Sequence, residues 1–505
     1  MKKYILLLFI AIVFLGSSCK DFLSVNEVNP NNASQVAARL VLPAAINNVA
    51  YTMNNPRRFE FVYLWHGLWS ISAGYTQPQA LVQYKLLNSN YQNAFREFYT
   101  AANNLDGIEK SSTDPKDANF LAIAKIMKAY IFQNLVDCWG DVPYAEAFQT
   151  GTGNLKPKYE AQQTIYEDLV TQLDAAMDLI QNAPADANAV LPAADIMYGG
   201  DMTEWQRFAN TVKLRILVHQ ADMAGRTSYI TGAIATTASY GYLGAGESGL
   251  VNPGFVISAG KMNPFYEIFY NPAGTSQADG ITYYFAGKDV VDYLVATADP
   301  RIGKYFLPYS GNNYAGNILG NDPSLLSTSA LTSKLGYISG DAGTMIGTPT
   351  KSAPLLTDFE SLFIQAEAAQ RGLITGSAKD LYNSAVTQSF LYTGLTSTAA
   401  SAFLSQASPK MNFDNAPNKL EIILTQKWVA LDGVAPVEIW TDYRRTGFPL
   451  GLHFSPDAAR ANDTPPIRLL YPQDEINVNN DNVLAAYAQQ SYVDEFKTKL
   501  FWQNR

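Results

Sequence analysis

The stretch Phe120-Leu121-Ala122-Ile123-Ala124-Lys125-Ile126-Met127-Lys128-Ala129-Tyr130-Ile131, which runs on to Leu135-Val136-Asp137-Cys138-Trp139-Gly140-Asp141-Val142-Pro143-Tyr144, decides the class of fold. Phe120, Ala124, Met127, Ile131 and Leu135 step by three or four, the spacing that puts apolar side chains on one face of a helix. Pro115 near the start and Gly140 at the end bound that helix. Gly140 allows a left-handed cap, and Pro143 cannot continue a helix, so the turn after Trp139 is sharp and stiff.

The same texture spreads outward. A second helix is expected from about Tyr159 to Ile180, with Ile165, Leu169, Leu173 and Met177 on one face. Asp201-Met202-Thr203-Glu204 reads as a capping box that opens a third, carrying Trp205, Phe208, Val212 and Ile216. Residues 358–372 and 379–392 form an Ala-rich pair of tetratricopeptide-like length, and another helix runs from about Leu420 to Asp432 and stops at Gly433. Between Gly225 and Gly347 the chain turns to short pieces rich in Gly, Asn, Pro, Ser and Tyr, where turns dominate; from Pro465 onward it mixes Pro, Asn and short apolar runs. Long irregular stretches in a compact domain are usually functional.

With 505 residues, 47% of them hydrophobic and 12% aromatic, the chain can bury a large core. A net charge of −9 removes any general attraction to phosphate backbones, so a nucleic-acid role is not expected. The N-terminus reads as an export signal: Lys2-Lys3, an apolar run from Tyr4 to Leu15, then Leu15-Gly16-Ser17-Ser18-Cys19. Residues 1–18 are expected to be removed, and Cys19 to carry lipid that tethers the protein to a membrane. Gly16 stands where an aliphatic residue is usual, and a plain secreted protein cleaved nearby is the alternative. No later segment offers eighteen uninterrupted apolar residues, so the remainder is expected to be soluble. Cys138 is the only other cysteine; it has no disulfide partner and is expected as a small buried side chain.

Several runs, in order, resemble the SusD/RagB-like family of nutrient-binding outer-membrane lipoproteins. Asp21-Phe22-Leu23-Ser24-Val25-Asn26 leading to Asn29-Pro30-Asn31 is similar to the family's opening, and 124–144 to its most distinctive helix and turn. Trp205, Phe208-Ala209-Asn210, Lys213-Leu214-Arg215, Phe363 to Ala369, Arg371-Gly372, Gln426 to Leu431 and Tyr443 to Pro449 complete the series. The resemblance implies a mainly α fold, a helical superhelix of tetratricopeptide-like hairpins plus a loop-rich, irregular ligand-binding region. As one domain over 19–505, it divides into a helical scaffold at about 35–225 and 355–450 and an insert at about 226–354. It also implies a SusC-like TonB-dependent outer-membrane transporter as partner, an oligosaccharide or peptide as cargo, and an outward-facing place on the outer membrane.

Candidate ligand residues are aromatic, because a sugar's C–H face stacks on Trp or Tyr while its hydroxyls need polar partners. Trp65, Trp69 and Tyr75 lie in a Gly-interrupted segment; Tyr266 and Tyr270 follow Asn263-Pro264; Tyr314 sits between Asn313 and Ala315 and is expected to be the most exposed. Trp65 and Trp69 are four apart, one helix face, which equally suits core packing. Arg444 and Arg445 read as structural forks.

Enzyme signatures fail. Gly244-x-Gly246-x-x-Gly249 is followed by Pro253 rather than a helix, so it reads as a turn. His66, His219 and His453 lack zinc-site spacing, and Asn477, Asn479 and Asp481 lack the glycine and bidentate glutamate of a calcium loop, so no metal or cofactor is expected. Asp432, Glu438 and Asp442 could form a glycosidase pair, but ion pairing beside Arg444-Arg445 is the default. A non-enzymatic binding protein is the leading expectation, with a glycan hydrolase or a helical scaffold or adhesin as alternatives.

Overall fold

A computed structural model describes residues 37–503, apart from 73, 188, 278–279, 322–331, 337–345 and 491–492. The expected signal peptide and the lipidation residue Cys19 lie outside the described residues. Nine helices of the described unit, Ala38–Arg505, carry the scaffold: α1 (Ala38–Asn54), α2 (Gln92–Ser111), α3 (Ala118–Trp139), α4 (Gln162–Gln181), α5 (Met202–His219), α6 (Asp358–Gln370), α7 (Ala378–Tyr392), α8 (Lys419–Ala430) and α9 (Pro436–Thr446). Each of α1 to α5 packs on the next, α6 packs on α5, α7 and α8, and α9 closes against α3, α5 and α8. The chain is mainly α with tetratricopeptide-like hairpins, the clearest being α6 and α7 across a short link.

The helix ends follow from local chemistry. Asp114 caps a 3₁₀ turn, Pro115–Asp117, that feeds α3, and Gly140 ends α3 with a positive φ. At α5, Asp201 Oδ1 accepts from the backbone N–H of Thr203 and Glu204, the acceptor half of the expected box. Helix α3 is buried on nearly every side, including Asp137 and Cys138, because neighbours cover several faces at once. Cys138 is indeed a small buried side chain, its thiol pushed far above the ordinary range by burial.

The segment expected to be turns holds more regular structure than its texture suggested. Helices Thr227–Thr237, Pro264–Phe269 and Lys288–Ala296 occur there, as do strands of two or three residues. Elements this short carry too few residues for periodicity to register, and their strand partners are distant in sequence. A four-stranded antiparallel sheet runs in the order Trp69–Ile71, Tyr284–Ala286, Lys334–Leu335, Phe306–Leu307. Gly249–Val251 pairs with Ala353–Leu356, and Val142–Pro143 with Tyr159–Glu160. Gly246 and Gly249 therefore belong to a turn and a strand, Gly246 donating its N–H to Asp358 Oδ2. Asn477, Asn479 and Asp481 lie on or between helices Gln473–Val478 and Asn480–Gln489, and Asn479 donates to Pro157 O.

Ion pairs knit α5, α6, α8 and α9 together. Arg445 pairs with both Glu367 and Asp442; Lys427 pairs with Glu438 at 2.5 Å and with Asp442 at 2.9 Å; His219 Nε2 faces Glu438 at 3.1 Å. All of these groups are buried, so Glu438 and Asp442 are structural counter-ions, as their spacing beside the arginines led one to expect. No helix among the described residues is long and apolar enough to cross a membrane.

Candidate ligand-binding face

All seven tryptophans are buried, Trp428 at 4% exposure being the most accessible, so stacking on a ligand falls to tyrosine. This corrects the expectation for Trp65 and Trp69. They do not share a helix face: helix Glu60–Trp65 ends at Trp65, Gly67 turns the chain with φ +67°, and Trp69 opens a strand. Trp65 donates its indole N–H to Leu81 O at 3.1 Å and packs on Phe61 and Tyr84. Trp69 stacks on Tyr63 with centroids 4.1 Å apart and donates to Asp432 Oδ1 at 2.9 Å. Burial holds the Asp432 carboxyl well above the ordinary aspartate range, against the hydrogen bond that Trp69 donates to it.

Trp69 is the support on which the tyrosines are mounted. Phe265 and Phe269, from the short helix Pro264–Phe269, lie edge-on to its ring, and Tyr284 leans on it at 5.2 Å. That short helix is set by Asn263, whose Oδ1 accepts from the N–H of Phe265 and Tyr266. Tyr266 and Tyr270 pack on each other at 5.4 Å and are only 4% and 6% exposed. They underlie the surface rather than form it, a second correction to the expected face, because the chain folds back to bridge Tyr270 with Ser276.

The accessible face is carried by Tyr75 and Tyr283, both half-buried. Their rings meet edge to face at 5.2 Å, and the Tyr75 hydroxyl shares a hydrogen bond of 2.6 Å with Thr282 Oγ1. Ser72 N–H donates to Tyr283 O at 2.9 Å, which continues the pairing of strands Trp69–Ile71 and Tyr284–Ala286 beyond their ends. Tyr284 turns inward, is fully buried, and gives its hydroxyl hydrogen to Glu60. Gln77 Nε2 donates to Ser72 O at 3.2 Å, so an amide lies beside the rings. Tyr283 and Thr282 were missed in the sequence, although the alternation of a strand entering at Tyr283-Tyr284 sends neighbouring residues to opposite faces.

Tyr314 is half-buried on a separate loop that starts with Tyr309 N–H donating to Asn313 O and ends where Asn317 pairs with Gly287. Its hydroxyl lies over Gly303. Tyr283 and Gly287 flank the same strand, so Tyr75 with Tyr283 stands at one end and the Tyr314 loop at the other. Flat C–H faces can stack on such rings, and hydroxyls or amides can bond to the polar groups between them. The carboxylates weighed as a glycosidase pair, Asp432, Glu438 and Asp442, are all buried, Asp432 beneath the face on Trp69 and the other two in the ion-pair cluster of α8 and α9.

The family model for SusD-like proteins, described as starch-binding and associating with the outer membrane, matches residues 30–472. The chain belongs to this SusD-like family. Solved structures agree with the fold. A chitin-binding protein is 23% identical with a TM-score of 0.75, covering 93% of this chain and 100% of its own. A SusD-like protein from Bacteroides thetaiotaomicron VPI-5482 is 23% identical with a TM-score of 0.74, over 93% of this chain and 99% of its own. A SusD homolog from Bacteroides fragilis NCTC 9343 is 20% identical with a TM-score of 0.72, over 93% and 100%. Among curated proteins none matches. The SusD-like assignment gives the Tyr75–Tyr283 face a setting, a family of outer-membrane-associated nutrient binders.

Proposed function

We propose that this protein is a non-enzymatic, lipid-anchored surface protein that captures an oligosaccharide and delivers it to a SusC-like TonB-dependent outer-membrane transporter. The observation that carries this reading is the half-buried Tyr75–Tyr283 pair with Thr282 and Gln77 beside it, mounted on a rigid aromatic support in a SusD-like chain. Tyr314 extends the face, and lipid on Cys19 tethers it outward. Peptide cargo is the second reading, since tyrosine faces accept both; the chitin-binding relative makes chitin oligomers the first probe.

The test is calorimetric titration of the purified chain with chitin oligomers, starch oligomers and short peptides, repeated on Tyr75→Ala/Tyr283→Ala. An oligomer that binds the native protein and not the double variant supports the reading; unchanged binding sinks the site. Purification from detergent-solubilised outer membrane should bring a TonB-dependent barrel with it, and recovery without one would count against the transport role. Mass spectrometry of the mature N-terminus should find acylated Cys19.

A further inference from the structure

A cavity lies where α9 meets the C-terminal segment. It has a volume of about 530 Å³, within the range of small-ligand pockets, about 300–1,000 Å³. Trp440, Tyr443, Pro465, Pro466 and Phe496 give it apolar walls. Two buried polar side chains line it as well, and their hydrogen bonding is incomplete.

Arg444 is 3% exposed and always has five N–H donors to place. Nε donates to Trp440 O at 3.1 Å, Nη1 to Ile467 O at 3.0 Å and Nη2 to Thr441 Oγ1 at 3.1 Å. Every one of those acceptors is neutral. Among the described residues no carboxylate forms an ion pair with it, whereas the adjacent Arg445 holds both Glu367 and Asp442. Its guanidinium lies 3.7 Å over the Trp440 ring, and burial pulls it down to about 10, which still leaves it charged at neutral pH. The buried Asp137 gives it Coulombic support but takes its own hydrogen bonds from Gln133, Tyr166 and Trp502, so no carboxylate meets the guanidinium directly, and a carboxylate is the group that matches its planar fork.

His66 is 1% exposed and lines the same cavity. Its Nδ1 sits 2.9 Å from Val62 O, and burial lowers the ring to about 4. The ring is thus neutral, with its hydrogen on Nδ1, and Nε2 is left as an acceptor for a hydroxyl. Thr464 and Gln503 add polar edges, and Lys497 and Lys499 stand at the rim, Lys497 3.4 Å from Asp494.

We propose that this cavity binds a sugar acid, the carboxylate of a uronate residue resting on Arg444 and its ring packing on the aromatic wall formed by Tyr443 and Phe496. A hydroxyl of the same sugar donates to His66 Nε2. A cation, an acceptor and aromatic walls in one cavity favour this over a purely apolar acid, which would leave the imidazole unused.

The test titrates trigalacturonate and its neutral methyl ester into the native protein. The acid should bind at least about tenfold more tightly than the ester. Phe496→Ala should weaken acid binding by a similar factor at an unchanged melting temperature, and Tyr75→Ala/Tyr283→Ala should leave it unaltered. Equal binding of acid and ester overturns the proposal without recourse to any variant. So does acid binding that Phe496→Ala spares or that the tyrosine variant abolishes, and so does a tripeptide with a free C-terminal carboxylate that binds where trigalacturonate does not.

Discussion

At the scale of single residues, Tyr283 and Tyr75 make separable contributions. Tyr283→Ala removes a ring face, and an aromatic contact of about 1.4 kcal/mol corresponds to about tenfold in affinity. Tyr75→Phe keeps the ring and its edge-to-face contact with Tyr283 but loses the 2.6 Å bond to Thr282. Titration with the oligomer that binds best should therefore rank native, Tyr75→Phe, then Tyr283→Ala. A larger loss for Tyr75→Phe would mean that the hydroxyl, not the ring, is the ligand contact. Residue identity made tyrosine and tryptophan equal candidates in the sequence, because sugar stacking and core packing call for the same side chains. What separated them was burial. Trp69 lies among Tyr63, Phe265, Phe269 and Tyr284, and three of those four are far from it in the chain.

At the scale of elements, helices α3 to α8 were legible, whereas α1, α2 and the support of the face were not. Helices α3 to α8 carry three or more turns of apolar repeat, and their start and stop residues act locally, as Asp201 and Gly140 do. Helix α9 was glimpsed only through the spacing of Glu438 and Asp442, and α1 contains Pro43, a residue that counts against a helix in sequence. The sheet under the face depends on Gly67 and Gly287 approaching each other: a Cβ on Gly287 would fall 2.2 Å from Gly67 O, and one on Gly67 would fall 2.1 Å from Asp289 Oδ2. Gly287 N–H also donates to Leu68 O at 2.8 Å, which closes the two strands. Gly287→Ala must push this crossing apart, since the atom it meets is backbone. It should lower stability by about 1–3 kcal/mol, as overpacking of a tight site does, and weaken oligomer binding along with it. Denaturant unfolding and titration check both; a variant as stable as the native protein would show that the crossing can yield.

For the whole molecule, the buried charges that join α5, α6, α8 and α9 make stability depend on pH in two opposed ways, both read from α6. Glu367 lies between Arg445 and Arg371, which hold its carboxyl down to about 2 despite its burial. Its folded value is below its unfolded value, so its contribution is complete above the ordinary glutamate range and is lost as pH falls towards 2. Glu367→Gln strips a buried arginine of its better partner and should cost about 3–5 kcal/mol at neutral pH, a deficit that narrows in acid. Glu360 behaves in reverse. Burial and the nearby Glu438 raise it to about 7, although Arg215 Nη1 is 2.8 Å away, and its Oε2 has no hydrogen-bond partner. Its folded value is above its unfolded value, so the folded state binds the extra proton and stability falls as pH rises from about 4.3 to about 7. Glu360→Gln removes that slope. Relative to the native protein it should gain about 1.4 kcal/mol for each pH unit across this window, whatever its fixed offset from the changed hydrogen bond. Unfolding measured from pH 3 to pH 8 on the three proteins separates the two effects: the Glu367→Gln deficit should widen with pH below about 4.5, and the Glu360→Gln difference should move in the variant's favour above it. Parallel curves for native and Glu360→Gln would mean that Arg215 keeps the Glu360 carboxylate ionised throughout, and the helix junction would then be a fixed ion pair with no proton to lose.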